Sequence, residues 1–258
     1  MNLGLDRKIV LVTGGSKGIG LAATSLFASE GATVAICSRS QANIDAALAG
    51  QSGVRGFAAD LSDEQDARRL VETVEAELGP IDVLINSAGA AKRTPVDELS
   101  PTAWRAAMDA KYFTYINVID PVVKRMAARG SGVIINVIGN GGKTASPTHL
   151  AGGAANAALM LATVGLATAY AGRGVRVIGL NPGLTETDRV AEGLKAEARQ
   201  SNITEKEARE AAVKRIPIGR LATPEEIAQV AVFLASSQAS YVTGAIIGMD
   251  GAQTATVV

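Results

Sequence analysis

Seven short apolar runs recur along this chain, and most are followed by a stretch long enough for a helix. That spacing restricts the fold more than any other feature. The runs lie at Ile9–Thr13, Thr33–Cys37, Val54–Ala58, Val83–Asn86, Gly132–Val137, Val175–Leu180 and Ala245–Gly248. Helical stretches are expected near Gly18–Glu30, Gln41–Ala49, Asp63–Leu78, Pro101–Arg129, Leu150–Gly172 and Pro224–Ser236. Strands that are apolar throughout are buried on both faces, and strands separated by helices pair in parallel. The pattern therefore predicts an α/β fold with a parallel sheet and helices on both faces. The 258 residues carry no internal repeat and no low-complexity linker, so a single domain over 1–258 is expected.

Local chemistry marks several boundaries. Ser62 before Asp63 and Glu64 reads as an N-cap followed by acids in a first helical turn. Thr223-Pro224-Glu225-Glu226 reads as an N-cap with proline at the first helical position. Gly31, Gly79 and Gly174 each fall between a helix and a strand, where a left-handed residue ends the helix. The region 188–215 reads as an insertion after Asn181-Pro182-Gly183, with a charged, helix-prone stretch from Gln200 to Ala212. It is either a lid over a site or a solvated helix without a role.

Composition removes some function classes. Basic and acidic residues balance at 25 each, so no positive surplus is available for nucleic acid. The single cysteine, Cys37, excludes an internal disulfide and suits a reducing cytoplasm. No metal site is expected. Residues Met1 to Val12 lack the apolar core and cleavage site of a signal peptide. No membrane partner is expected: the richest apolar stretch, Ala151 to Ala171, contains Asn156, Thr163 and Thr168 and reads as a helix buried against protein.

The first strand runs into Thr13-Gly14-Gly15-Ser16-Lys17-Gly18-Ile19-Gly20 and then a helix. Gly14, Gly18 and Gly20 let the backbone approach a pyrophosphate, and the helix N-terminus favours its charge. A carboxylate at the end of the second strand would select NAD. Ser38-Arg39 stands there instead, and the planar guanidinium suits a 2′-phosphate, with Lys17 adding charge nearby. These residues favour NADP(H) over NAD(H). Asp60-Leu61 follows the third strand, where a carboxylate accepts from an adenine amino group or caps the next helix. Asn86-Ser87-Ala88-Gly89 follows the fourth, where Ala88 and Gly89 allow close approach by adenosine, and where Asn86 contacts the cofactor or bridges strands.

These segments resemble the short-chain dehydrogenase/reductase family in its single-domain form. Further marks are Asn181-Pro182-Gly183 with Thr187, Gly219-Arg220, Pro224-Glu225-Glu226, Phe233-Leu234-Ala235, Val242-Thr243-Gly244 and Asp250-Gly251. The resemblance covers essentially the whole chain. It implies a Rossmann-type doubly wound sheet of seven strands, a nicotinamide cofactor and a cytoplasmic homodimer or homotetramer. It also implies that Pro182, Gly183 and Thr187 contact the nicotinamide end.

The chain departs from the family where proton transfer is usually done. Aligned on Asn136-Val137-Ile138-Gly139 and Asn156-Ala157-Ala158, the family's Ser falls at Gly139, its Tyr at Gly152, its Lys at Asn156 and its Asn at Lys111. A buried amine at Lys111 or the lone imidazole of His149 is a replacement acid or base, and Asn156 is a ribose or orienting group. Asn140, Thr144 and Ser146 are available to orient a substrate. Against this, His149 reads equally as a helix cap, Lys111 as a filler of volume and charge, and Tyr112 and Tyr115 as packing residues. Two functions follow. One is an NADP(H)-dependent oxidoreductase acting on a small or medium carbonyl, alcohol or enoyl compound with a rebuilt proton donor. The other is an NADP-binding protein without turnover, serving as sensor, scaffold or partner subunit.

Overall fold

The computed structural model describes residues 2–89 and 91–255. Seven strands form one parallel sheet: β1 (Ile9–Thr13), β2 (Thr33–Ser38), β3 (Val54–Ala58), β4 (Val83–Asn86), β5 (Gly132–Val137), β6 (Val175–Pro182) and β7 (Ile246–Met249). Their order is β3-β2-β1-β4-β5-β6-β7. The chain builds outward from β1 in one direction, then returns to pair β4 on its other side. Loops from the two halves diverge at that reversal and leave a crevice beyond the carboxyl ends of the strands.

The helices are α1 (Gly18–Ser29), α2 (Gln41–Leu48), α3 (Glu64–Leu78), α4 (Pro101–Ala107), α5 (Thr114–Arg129), α6 (Leu150–Tyr170), α7 (Asp188–Ser201), α8 (Glu205–Lys214) and α9 (Pro224–Ala235). Alternate residues of each strand serve the two faces. Val10, Val12, Ile36 and Ile85 join Phe27 of α1 and Ile227 of α9 in one core. Leu11, Leu84 and Ile134 join Val71, Val118 and Leu159, from α3, α5 and α6, in the other. Each such side chain contributes on the order of 1.5–3 kcal/mol by leaving water, which explains the continuous apolar runs of the central strands.

Several expectations change in detail. Asp63, not Ser62, caps α3, because its carboxylate accepts from the Asp66 N–H at 2.7 Å. Ser62 instead bonds the Asp60 carboxylate. The stretch expected as one helix over 101–129 is α4 and α5 joined by a π turn at Met108–Phe113. The charged stretch from Gln200 to Ala212 is not one helix either: Asn202, with φ 52°, ends α7 before Thr204 caps α8. Leu150–Arg173 is long and apolar enough to cross a membrane, its most apolar stretch having a mean hydropathy of 1.6. Here it lies on the sheet, with Leu159 and Ala167 in the core.

A buried polar chain ties the middle of the sheet to α6. Asn86 accepts from the Thr13 hydroxyl at 3.4 Å and donates to Asn136 at 3.0 Å, and Asn136 donates to the Thr163 hydroxyl at 2.9 Å. All four side chains are buried. Asn136→Leu leaves the Asn86 amide without its acceptor, so the expected cost is about 1–3 kcal/mol, measured by urea unfolding.

Candidate active site

At the carboxyl ends of β1 and β4, backbone lies on backbone. Gly14 (φ 66°) donates to the Cys37 carbonyl, and a side chain there would begin 2.9 Å from the Ala88 Cα. A side chain at Gly20 would overlap the Gly14 carbonyl. Gly89 (φ 86°) lies against the π turn, where a Cβ would meet the Ala110 carbonyl and the Thr114 hydroxyl. The Thr13 hydroxyl accepts from the Ser87 and Ala88 N–H groups and holds that loop to β1. Only glycine permits these approaches at these dihedrals.

Helix ends single out the same rim. Ser40, Asp63, Ser100, Thr187, Thr204 and Thr223 each cap their helix with a side-chain oxygen. Lys17 at the start of α1 and His149 at the start of α6 do not. The first-turn N–H groups of α1, framed by Ser16, Gly18 and Ile19, fit a diphosphate. Thr187 reaches over that loop, its methyl 3.1 Å from where a Cβ on Gly18 would lie. Exposed Lys17 and Arg39, beside Ser38 at the end of β2, make no ion pair among the described residues.

Two residues expected at a cofactor have their side chains committed elsewhere, and a third, exposed Asp60, is held by local bonds. The Asn86 side chain is spent bridging β1, β4 and β5. Leu61 turns its side chain into the core, while its carbonyl accepts from Asn117. Asp60 accepts twice from Ser62, bonds that hold its carboxyl below the usual range, helped by the Arg39 charge. Pro182 ends β6, and Gly183 follows it so closely against Asp250 that a Cβ would lie 2.9 Å from the Asp250 Cα.

Beyond β5 the loop 139–142 presses on the first turns of α6. A side chain at Gly153 would begin 2.6 Å from the Gly141 carbonyl, and one at Gly142 would begin 2.7 Å from the Ala157 nitrogen. The His149 ring lies between Gly152, where any Cβ would overlap it, and Gly141, where a Cβ would lie 3.1 Å from its Cδ2. Its Nδ1 is buried without a hydrogen-bond partner. Asn156 is buried one turn on, its amide 3.5 Å from the points where side chains on Gly139 and Gly141 would begin. Asn140 donates to the Asp250 carboxylate and to the Thr254 hydroxyl, so residues 250–254 form one wall of the loop.

Lys111 projects from the π turn. Its ammonium donates to the Tyr115 hydroxyl at 2.7 Å and to the Val137 carbonyl at 3.1 Å. The Tyr115 hydroxyl donates to the same carbonyl at 2.5 Å. Burial, and then the nearby Arg189 charge, push the Lys111 amine down to about 7. Burial pushes the Tyr115 phenol far up, so it remains protonated. His149 is also held below its ordinary value, first by burial and then by the charges of Arg93, Lys111 and Arg189. The Lys111 charge is thus among the minor causes acting on His149. Arg93 and Arg189 were not legible in the sequence, because loops far apart in the chain bring them in.

Known proteins carry the same architecture. The family described as enoyl-(acyl carrier protein) reductase matches residues 14–254. A 3-oxoacyl-(acyl-carrier-protein) reductase of Thermotoga maritima is 36% identical over 254 residues, covering 96% of this chain and 98% of its own. D-threitol dehydrogenase of Mycolicibacterium smegmatis is 36% identical over 257 residues, covering 97% and 94%. The crystal structure of L-sorbose reductase from Gluconobacter frateurii, complexed with NADPH and L-sorbose, matches with a TM-score of 0.92 at 28% identity across the whole of both chains. The chain belongs to the short-chain dehydrogenase/reductase family.

Because folding disfavours the charged Lys111, the unfolded chain binds more protons from about pH 7 up to the ordinary lysine range. Stability should therefore rise with pH through that window, by at most about 1.4 kcal/mol per unit. Lys111→Met should flatten the rise in urea unfolding measured across it.

Proposed function

We propose that this short-chain dehydrogenase/reductase is an NADP(H)-dependent enzyme interconverting a carbonyl compound and its alcohol, with His149 as the proton-transfer group. The observation that carries this reading is the slot between Gly141 and Gly152, which holds an imidazole where the family's phenol would begin. The positions of the family's Ser, Tyr, Lys and Asn hold Gly139, Gly152, Asn156 and Lys111. Without His149 the rim of α6 would offer no acid or base to a substrate oxygen.

The cofactor assignment is supported by the uncapped start of α1, by unpaired Lys17 and Arg39, and by the NADPH bound in L-sorbose reductase. The loop 14–20 takes the diphosphate and Arg39 with Lys17 the 2′-phosphate. Asp60, Ala88 and Gly89 flank the adenosine, while Pro182, Gly183 and Thr187 hold the nicotinamide end. Asn156 faces the ribose. Bound NADPH supplies the hydride. His149 gives a proton to the carbonyl oxygen as charge develops there, and takes it back in alcohol oxidation. Lys111, anchored on Tyr115 and Val137, acts through the imidazole: burial first, then the charges of Arg93, Lys111 and Arg189, lower the proton affinity of His149, so its protonated form gives up the proton readily in reduction and its neutral form accepts it in oxidation. Exposed Phe113, Leu161, Val164 and Phe233 support assembly into a dimer or tetramer.

His149→Ala should lower kcat for carbonyl reduction by about 10²–10⁴ while leaving NADPH binding intact, read from NADPH absorbance in steady-state assays. If neither parent nor variant consumes NADPH with any carbonyl, the cofactor-binding protein without turnover becomes the better reading. Arg39→Ala should weaken NADPH by about tenfold or more, the value of a charge-assisted bond, and leave NADH nearly unchanged in fluorescence titration.

A further inference from the structure

We propose that Asp250 is a positioning residue: acting through the Asn140 amide, it holds the loop 139–142 against α6 and so fixes the His149 imidazole. The proposal rests on the reductase reading only for what that imidazole then does.

The loop has little with which to hold itself. It reads Gly139-Asn140-Gly141-Gly142, so Asn140 brings its one side chain. Glycine loses more backbone freedom on ordering than any other residue, and Gly139, with φ 119°, adopts a conformation that side chains disfavour. Yet the loop lies tightly on α6. The Gly141 carbonyl meets Gly153, Gly142 meets the Ala157 nitrogen, and Gly141 forms one side of the slot around the His149 ring. The turn also closes on Asn140, whose carbonyl accepts from the Lys143 N–H at 2.9 Å and from the Thr144 N–H at 3.2 Å. Whatever orients Asn140 therefore orients the turn.

The anchor arrives from a distant part of the chain. β7 pairs with β6 as far as Met249, opposite Pro182, and the Gly183 N–H donates to the Met249 carbonyl at 3.0 Å. That pairing sets Asp250 at the carboxyl edge of the sheet. Gly251 (φ 62°) turns the chain, and its carbonyl accepts from the Ile218 N–H at 3.2 Å. Thr254 comes back to the same carboxylate, its N–H donating to Asp250 Oδ2 at 2.9 Å. The Asn140 amide nitrogen donates to Oδ2 as well, and to the Thr254 hydroxyl at 2.8 Å, which accounts for its two hydrogens. Flipping that amide would set its oxygen against a carboxylate. Burial opposes ionisation of Asp250, yet the bonds from Thr254 and Asn140 prevail and hold its carboxyl below the usual range. Among the described residues Asp250 makes no ion pair, so its charge is spent on the amide and on Thr254.

The chain has a single histidine, so isotope labelling at the imidazole Cε1 gives one NMR resonance in protein without a histidine tag. Its pH titration reads the surroundings of His149 whether or not any carbonyl is reduced. Asn140→Ala leaves every charge in place, including those of Arg93, Lys111 and Arg189 that act on the imidazole. The midpoint should still rise toward the ordinary imidazole value, because a loosened slot admits water. Asp250→Ala should raise it too, although losing a negative charge by itself would lower it. Thr254→Val, the mildest change, should raise it less. Asp250→Asn keeps an oxygen where Oδ2 accepts both bonds, and should hold the midpoint near that of the parent. In carbonyl reduction, Asn140→Ala and Asp250→Ala should each lower kcat by about tenfold or more, the scale of a displaced catalytic group, and Asp250→Asn should restore most of it. Unmoved midpoints in folded Asn140→Ala and Thr254→Val overturn the proposal. So does a midpoint that falls in Asp250→Ala, which marks a direct effect of charge, and so does Asp250→Asn behaving as Asp250→Ala. Raised midpoints without NADPH consumption by any form support the positioning role while defeating the reductase reading. Full turnover with unmoved midpoints does the reverse.

Discussion

Backbone lying directly on backbone is the constraint from which the site follows. Gly14 meets Ala88, Gly89 meets the π turn, Gly153 meets the loop at Gly141, and Gly183 meets Asp250. Each contact removes the thickness of a side chain between two segments that would otherwise stand apart. The first two contacts bring the loops after β1 and β4 together beside the open end of α1. The last two draw the loop after β5 and the segment 250–254 around the start of α6. The polar chain Thr13–Asn86–Asn136–Thr163 fixes the strands that carry these loops, so the glycines approach along set directions.

Charge is the second organising element. A buried lysine is a costly arrangement unless its ammonium finds acceptors or gives up its proton. The protein keeps Lys111 in place with two oxygen acceptors, Tyr115 and the Val137 carbonyl, neither of which carries charge. The cost is carried as depressed proton affinity on Lys111 and His149.

Much of this was legible in the chain. Strand positions followed from continuous apolar runs, because a sheet buried on both faces leaves no other pattern. The glycine turn and Arg39 announced the nucleotide half, since phosphate recognition is local and its residues are consecutive. The π turn at Met108–Phe113 carried no sequence signal: its extra residue is stabilised by tertiary contact with Gly89 and by the bond from the Thr114 hydroxyl to the Lys111 carbonyl. Gly152 read as a loss, and only its contact with His149, shared with Gly141, turns it into a slot. Asn86 read as either a cofactor contact or a bridge between strands, and its side chain makes the bridge.

The bonds from Asn140 to Asp250 and Thr254 span 110 and 114 residues of sequence. During synthesis the nucleotide-binding strands β1 to β4 emerge first and have most of their partners early. The loop after β5 cannot acquire its wall until residues 250–254 have been made, and β7 must pair with β6 to deliver them. A growing chain is thus able to shape its phosphate cradle long before its reactive rim is complete. The completed rim around His149 becomes a property of the finished polypeptide, which separates the time at which the protein takes up a nucleotide from the time at which it can act with it.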